Sequence, residues 1–250
     1  MKHIMPVGLL ILTVLSLSSC QSGYLAKGSD KAETTSFIKH FHDEGVEFSL
    51  ELEPGKHFNY PTFAIWIEDM DGSLIQTVFV TKSIATGYFK YGDAGDGTWL
   101  KVPGEAVRPA ALPYWLHKRE GTDQAGPTPP TPQNPIPDAF TGATPSGKMM
   151  LNTKLDIPSS FRLLLEVNQA WDWNEYWTNS MFPGNTDYKT SAQPSLIYAV
   201  TIKIGNEIDT YHLNPIGHGH FDGSDGLLYT DLSTLTTALQ IFNKIVVNIR

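Results

Sequence analysis

Six of the twelve residues at positions 126–137 (GPTPPTPQNPIP) are proline. Proline has no N–H to give to a sheet ladder or a helix, so this stretch runs extended and stays out of any sheet interior. The chain as a whole carries 17 prolines and 21 glycines in 250 residues, which favours many turns and short strands over long helices. The Pro-rich stretch reads either as a linker between two domains or as one long connection crossing a sandwich. Neither side of it holds a complete pattern of its own, so one globular domain is expected.

The strands are written as period-two alternation. Residues 47–52 (EFSLEL) alternate polar and apolar and predict a half-exposed strand. Residues 62–68 (TFAIWIE) predict a second strand, 69–72 (DMDG) a turn, and 74–81 the returning strand, which together make a hairpin. Asp69 and Asp71, like Asp93 and Asp96, sit beside glycine as turn residues. Residues 83–99 predict loops around a short element, and 109–119 (PAALPYWLHKR) no more than a turn of helix. Further strands are predicted at 148–155, 160–167, 195–204 and 244–249, with 160–167 the most apolar and central. A short C-terminal helix is expected within 233–242, capped by Asp231 or Ser233. The fold class is all-β: an antiparallel β-sandwich with a long Pro-rich connection and that one short helix.

Apolar residues make up 41% of the chain, enough for a packed core, and the net charge of −8 argues against a nucleic-acid partner. A single cysteine excludes an internal disulfide and a Cys-rich zinc site. The long apolar run is at the start, residues 7–17, behind Lys2 and His3. It is too short for a bilayer core of roughly 30 Å and fits the apolar region of a signal peptide. Cys20 stands directly behind it in Leu17-Ser18-Ser19-Cys20. This resembles a bacterial lipobox, whose thiol takes the lipid and becomes the first mature residue. The expected organisation is a signal peptide over 1–19, a flexible tether over 20–36 and a single domain over 37–250. Acyl chains on Cys20 would then place the protein in the bacterial cell envelope, anchored to a membrane and facing the periplasm. The other reading is a plain secretory peptide with an incidental cysteine.

Ala64-Ile65-Trp66-Ile67-Glu68-Asp69, with Asp71-Gly72 and Thr77, resembles the opening signature of a bacterial family of predicted periplasmic proteins, domain of unknown function 2271. The likeness continues at Trp115, at residues 138–145 (DAFTGATP) with Gly147, and at residues 161–166 (FRLLLE). It spans residues 45–205 and takes in the C-terminal strand. The resemblance implies an exported immunoglobulin-like sandwich and no established activity. The Pro-rich insert and the Gly-His-rich segment near 217 depart from the family pattern.

Three stretches carry residues with chemistry. Asp138-Ala139-Phe140-Thr141-Gly142-Ala143-Thr144 is similar to the attachment sequence of covalent-flavin domains in membrane redox systems, where the last Thr takes FMN through a phosphoester bond. That likeness makes Thr144 the acceptor, with Asp138, Thr141, Gly142 and Ala143 around it, and an envelope redox system the partner. The same residues also spell an ordinary turn opening a strand. In residues 217–226 (GHGHFDGSDG), His218 and His220 with Asp222, or with Asp225, are candidate metal ligands; otherwise this is a polar loop. In residues 171–177 (WDWNEYW), Trp171, Trp173, Tyr176 and Trp177 either form an exposed stacking patch or pack beneath a long loop. Asp172 and Glu175 there form a carboxylate pair of unknown separation. No nucleophile elbow and no phosphate loop occurs, and no catalytic residue is assigned. The functional expectation is a non-catalytic binding or accessory module, with covalent FMN at Thr144 and metal in the 217–226 loop as alternatives.

Overall fold

In a computed structural model, the described residues are 34–95, 98–120, 128–136, 140–205 and 209–250. The expected signal peptide, Cys20 and Asp138 lie outside them, as does the tether up to residue 33. The elements are β1 (Thr35–His40), β2 (Val46–Pro54), β3 (Thr62–Glu68), β4 (Leu74–Thr81), α1 (Lys82–Thr86), β5 (Tyr88–Phe89), β6 (Asp93–Gly95), β7 (Thr98–Trp99), β8 (Gly104–Glu105) and α2 (Pro113–Glu120). After the Pro-rich stretch come β9 (Phe140–Gly142), β10 (Met149–Leu155), β11 (Ser160–Asn168), α3 (Thr186–Ser191), β12 (Leu196–Lys203), β13 (Asp209–His212), β14 (Asn214–His218) and β15 (Phe242–Ile249).

The fold is the all-β sandwich that the alternation predicts. One sheet has the order β1-β10-β2-β15-β13 and the other β14-β12-β11-β3-β4-β9. Both are mixed: β1 pairs with β10, and β4 with β9, in parallel, while the other neighbours run antiparallel. β5 pairs with β8, and β6 with β7, as small separate ribbons.

Period two sorts each central strand between two cores. Phe63, Ile65 and Ile67 of β3, with Phe161, Leu163 and Leu165 of β11, fill the space between the sheets. Their alternates Ala64, Trp66 and Leu164 face a second core on the other side. That core is closed by Ile84 and Ala85 of α1, Phe89, and Trp115 and Leu116 of α2, so the six-stranded sheet is covered on both faces. Trp66 and Trp115 are fully buried there, and burial of an apolar side chain of that size contributes ~3 kcal/mol.

Three elements differ from expectation for clear reasons. α2 is two turns long, because Pro113 occupies its first position, where the missing N–H costs nothing. The segment at 233–242 forms turns and one 3₁₀ turn, Ala238–Gln240. Buried Leu235, Ala238 and Ile241 recur every third residue, the 3₁₀ repeat. β1 begins at Thr35, inside the expected tether, because it finds a parallel partner in β10.

Candidate functional site

The aromatic stretch at 171–177 is a fixed surface built around one side chain. Asn174 Oδ1 accepts from the backbone N–H groups of Tyr176 (2.9 Å) and Trp177 (2.7 Å), closing a turn. Its Nδ2 donates to Gln193 Oε1, Thr234 O and Thr236 Oγ1 at 2.7–3.0 Å. Gln193 Nε2 in turn donates to Asp172 O and to Thr237 Oγ1. Thr237 Oγ1 donates to Asp172 Oδ1 at 2.7 Å, while burial pushes the Asp172 carboxyl above its usual range.

This framework divides the aromatic residues into two groups. Trp173 and Trp177 pack on buried Tyr188 of α3, and Trp177 Nε1 donates to Thr234 Oγ1 at 3.0 Å. Trp171 and Tyr176 point outward, 49% and 48% exposed. Trp171 sits at φ 62°, a backbone conformation that bulky residues rarely adopt, with its ring edge-on to Trp99 at 5.6 Å. The segment therefore divides: Trp173 and Trp177 pack inward, and Trp171 and Tyr176 are exposed. Asp172 is tied to Thr237, and nothing in the structure pairs it with Glu175.

Beside Trp99 lies Arg108, which the sequence did not single out. Its guanidinium carbon is 3.6 Å from the Phe89 ring centre and 4.0 Å from that of Trp99, so both faces are covered. Burial pulls its pKa down to about 9, opposed by the charge of Asp93. Arg108 Nε and Trp99 Nε1 are buried with no hydrogen-bond partner.

The 217–226 loop packs against this region. Phe221 stacks on Phe182 at 4.1 Å, and Asn185, the N-cap of α3, donates to Asp222 Oδ2 at 2.7 Å. His218 stacks on Tyr229, and its Nδ1 is 2.8 Å from Gly219 O. His220 Nδ1 is 2.6 Å from Asp222 Oδ1 and 3.0 Å from Ser224 Oγ. Serine and aspartate meet the same ring nitrogen, so this is not the relay of a hydrolase, which places them on opposite nitrogens. His220 and Asp222 come together, His218 is bonded elsewhere, and among the described residues no three His, Cys, Asp or Glu side chains converge to hold an ion. Asp222 lies below its usual pKa: burial works to raise it, and hydrogen bonds from Ser224, Asn185 and His220 outweigh burial. Asp187 is pushed up by burial and by the charges of Asp222 and Asp93.

Gly219 crosses directly over Glu166. A Cβ on Gly219 would come within 2.6 Å of Ser195 Oγ and of Pro113 Cγ, and 3.2 Å from Glu166 Oε1. Glu166 itself is fully buried on β11 and caps α2 from outside the helix. It accepts from the N–H groups of Tyr114 (3.2 Å) and Trp115 (2.7 Å) and from Ser195 Oγ (2.5 Å). Burial nevertheless raises its pKa to about 7, against those three bonds. The second buried carboxylate, Glu68, accepts from Trp66 Nε1 at 2.9 Å and pairs with Arg162 (3.3 Å) and Lys118 (3.7 Å).

The Thr-Gly-Ala-Thr segment ends β9 at a sheet edge. Thr141 pairs with Val80, and a Cβ on Gly142 would lie 2.8 Å from Phe79 and 2.9 Å from Phe37. A side chain here would have to displace one of these rings. Ala143 is exposed, and Thr144 is half-buried between β9 and β10, followed by buried Pro145. No family model matches this chain, and no curated protein or solved structure matches it.

Proposed function

We propose that this chain is an extracytoplasmic lipoprotein, held at a membrane by acyl chains on Cys20, whose sandwich domain is a binding or accessory module of the cell envelope. The observation that carries the binding role is the pair Trp171 and Tyr176, half-exposed on a segment locked by Asn174 and Gln193. Rigid, amphipathic rings lose little entropy on contact and supply much area, which is why such residues dominate binding surfaces. The anchor rests on the spacing of the apolar run and Cys20, and the export on the resemblance of residues 45–205 to domain of unknown function 2271.

Two measurements test this reading. Intact mass of protein from its native envelope reads the anchor: a diacylglyceryl or triacyl adduct on a chain beginning at Cys20 is expected, and Cys20→Ala releases the protein from the membrane fraction. A photocrosslinker at Tyr176 reads the contact surface: a discrete adduct is expected in the envelope, and Trp171→Ala abolishes it. An unacylated chain sinks the anchor, and absence of any adduct sinks the surface. The same mass spectrum weighs covalent FMN. One FMN mapped to the peptide holding Thr144 would replace the accessory role with electron transfer.

A further inference from the structure

We propose that the in-plane N–H groups of the Arg108 guanidinium bind a carboxylate carried on a ring, and that the half-exposed Trp171 is where that ring stacks. The proposal rests on the 171–177 segment being a contact surface and names the chemistry it takes.

Arg108 is half-buried, and no counter-charge contacts it among the described residues. Glu166 has three donors, and Glu68 has two cations and an indole N–H. Arg108 has rings on both faces and no carboxylate within ion-pair distance, Asp93 acting only at longer range. Stacking leaves a guanidinium only its in-plane N–H groups for bonding. Nε–H is buried and unpaired, the neighbouring Trp99 Nε1–H is unpaired as well, and the side chain is still partly exposed. A buried donor with no acceptor is costly, and the cost disappears when a ligand supplies one. A planar carboxylate matches the fork of the guanidinium, accepting two parallel N–H bonds.

Trp171 supplies the second half. Its ring lies 5.6 Å from that of Trp99, the indole that covers Arg108. A non-glycine residue at φ 62° with a half-exposed ring is held there by its surroundings at a cost, as is common where side chains are poised for a ligand.

Calorimetric titration of the full chain decides it, with benzoate and glucuronate as probes and benzyl alcohol and glucose as their uncharged counterparts. At least one carboxylate should bind with a dissociation constant of about 1–10 mM, its uncharged counterpart at least ~10-fold more weakly. Binding of benzoate alone assigns an aromatic acid, and of glucuronate alone an acidic sugar. Arg108→Met should abolish binding, Arg108→Lys should weaken it because ammonium lacks the fork, and Trp171→Ala should weaken it about 10-fold. If Arg108→Met fails to fold by near-UV circular dichroism, the other two variants carry the test. The proposal is overturned if neither carboxylate binds, if charged and uncharged probes bind alike, or if Trp171→Ala binds as well as the parent. Envelope crosslinking through Tyr176 that persists without carboxylate binding refutes this ligand class and leaves the contact surface standing.

Discussion

Single residues set how tightly the covering layer closes on the six-stranded sheet. Gly219 is one: a Cβ there would come within 2.6 Å of the Ser195 hydroxyl and of Pro113 Cγ. Gly219→Ala should cost about 1–3 kcal/mol through overpacking, read as a lower urea midpoint with an unchanged slope. Asn174 is the second. Its side chain has five hydrogen-bond partners, two of them the N–H groups of its own turn. Asn174→Ala should lower the melting temperature and raise the mobility of Trp171 and Tyr176, seen as faster hydrogen exchange confined to 171–178. Neither role was legible in the sequence. The histidines and tryptophans drew attention because their chemistry is conspicuous, whereas the loops depend on the small residues between them. Arg108 was equally silent, since the rings that enclose it come from separate elements, β5 and β7.

At the scale of elements, what alternates in sequence is legible there and what is held by partners is not. β2 and β10 fall where the pattern places them, because alternate residues turn to the core, whereas β3 reads as an apolar run ended by the turn residues Asp69 and Gly72. β1, β9, β13 and β14 carry no such signal. They are short, and each lies at a sheet edge, defined by its neighbour's register. α2 depends on contacts from other elements even more. Glu166 takes its first N–H groups, while Lys118 near its far end donates to Gly72 O at 2.6 Å and pairs with Glu68. Glu68 is also paired with Arg162 across β3 and β11, so the three charges form one unit. Removing one partner of a buried carboxylate leaves charge uncompensated, whereas removing both together leaves less. Arg162→Met and Glu68→Gln should each destabilise by about 1–3 kcal/mol. The double variant should lose less than the sum, by at least ~0.5 kcal/mol in a double-mutant cycle. Strict additivity would mean that Glu68 is satisfied by Trp66 and Lys118 alone.

At the scale of the whole molecule, the buried carboxylates decide how stability depends on pH. Glu166 ionises near 7 in the fold and near its ordinary 4.5 in the unfolded chain. Between those values the native state holds a proton that the unfolded state has released. Its contribution is therefore full below about pH 4.5 and is lost as pH rises through 7. Asp172 and Asp187, both raised by burial, act in the same sense, and so does self-repulsion in a chain of net charge −8. Asp222 is depressed, so its contribution fades in strong acid instead, which closes the range from below. Stability should then peak in mild acid rather than at neutrality. From pH 5 to pH 8 the unfolding free energy should fall by on the order of 2 kcal/mol, measured from urea midpoints at fixed ionic strength. Glu166→Gln removes the titrating group and keeps an acceptor for Trp115. It should flatten most of that slope at the cost of one imperfect bond, about 1 kcal/mol. A parent protein equally stable at both pH values would show that Glu166 ionises near its ordinary value. Its three donors, two of them at the start of α2, would then outweigh the burial of its charge.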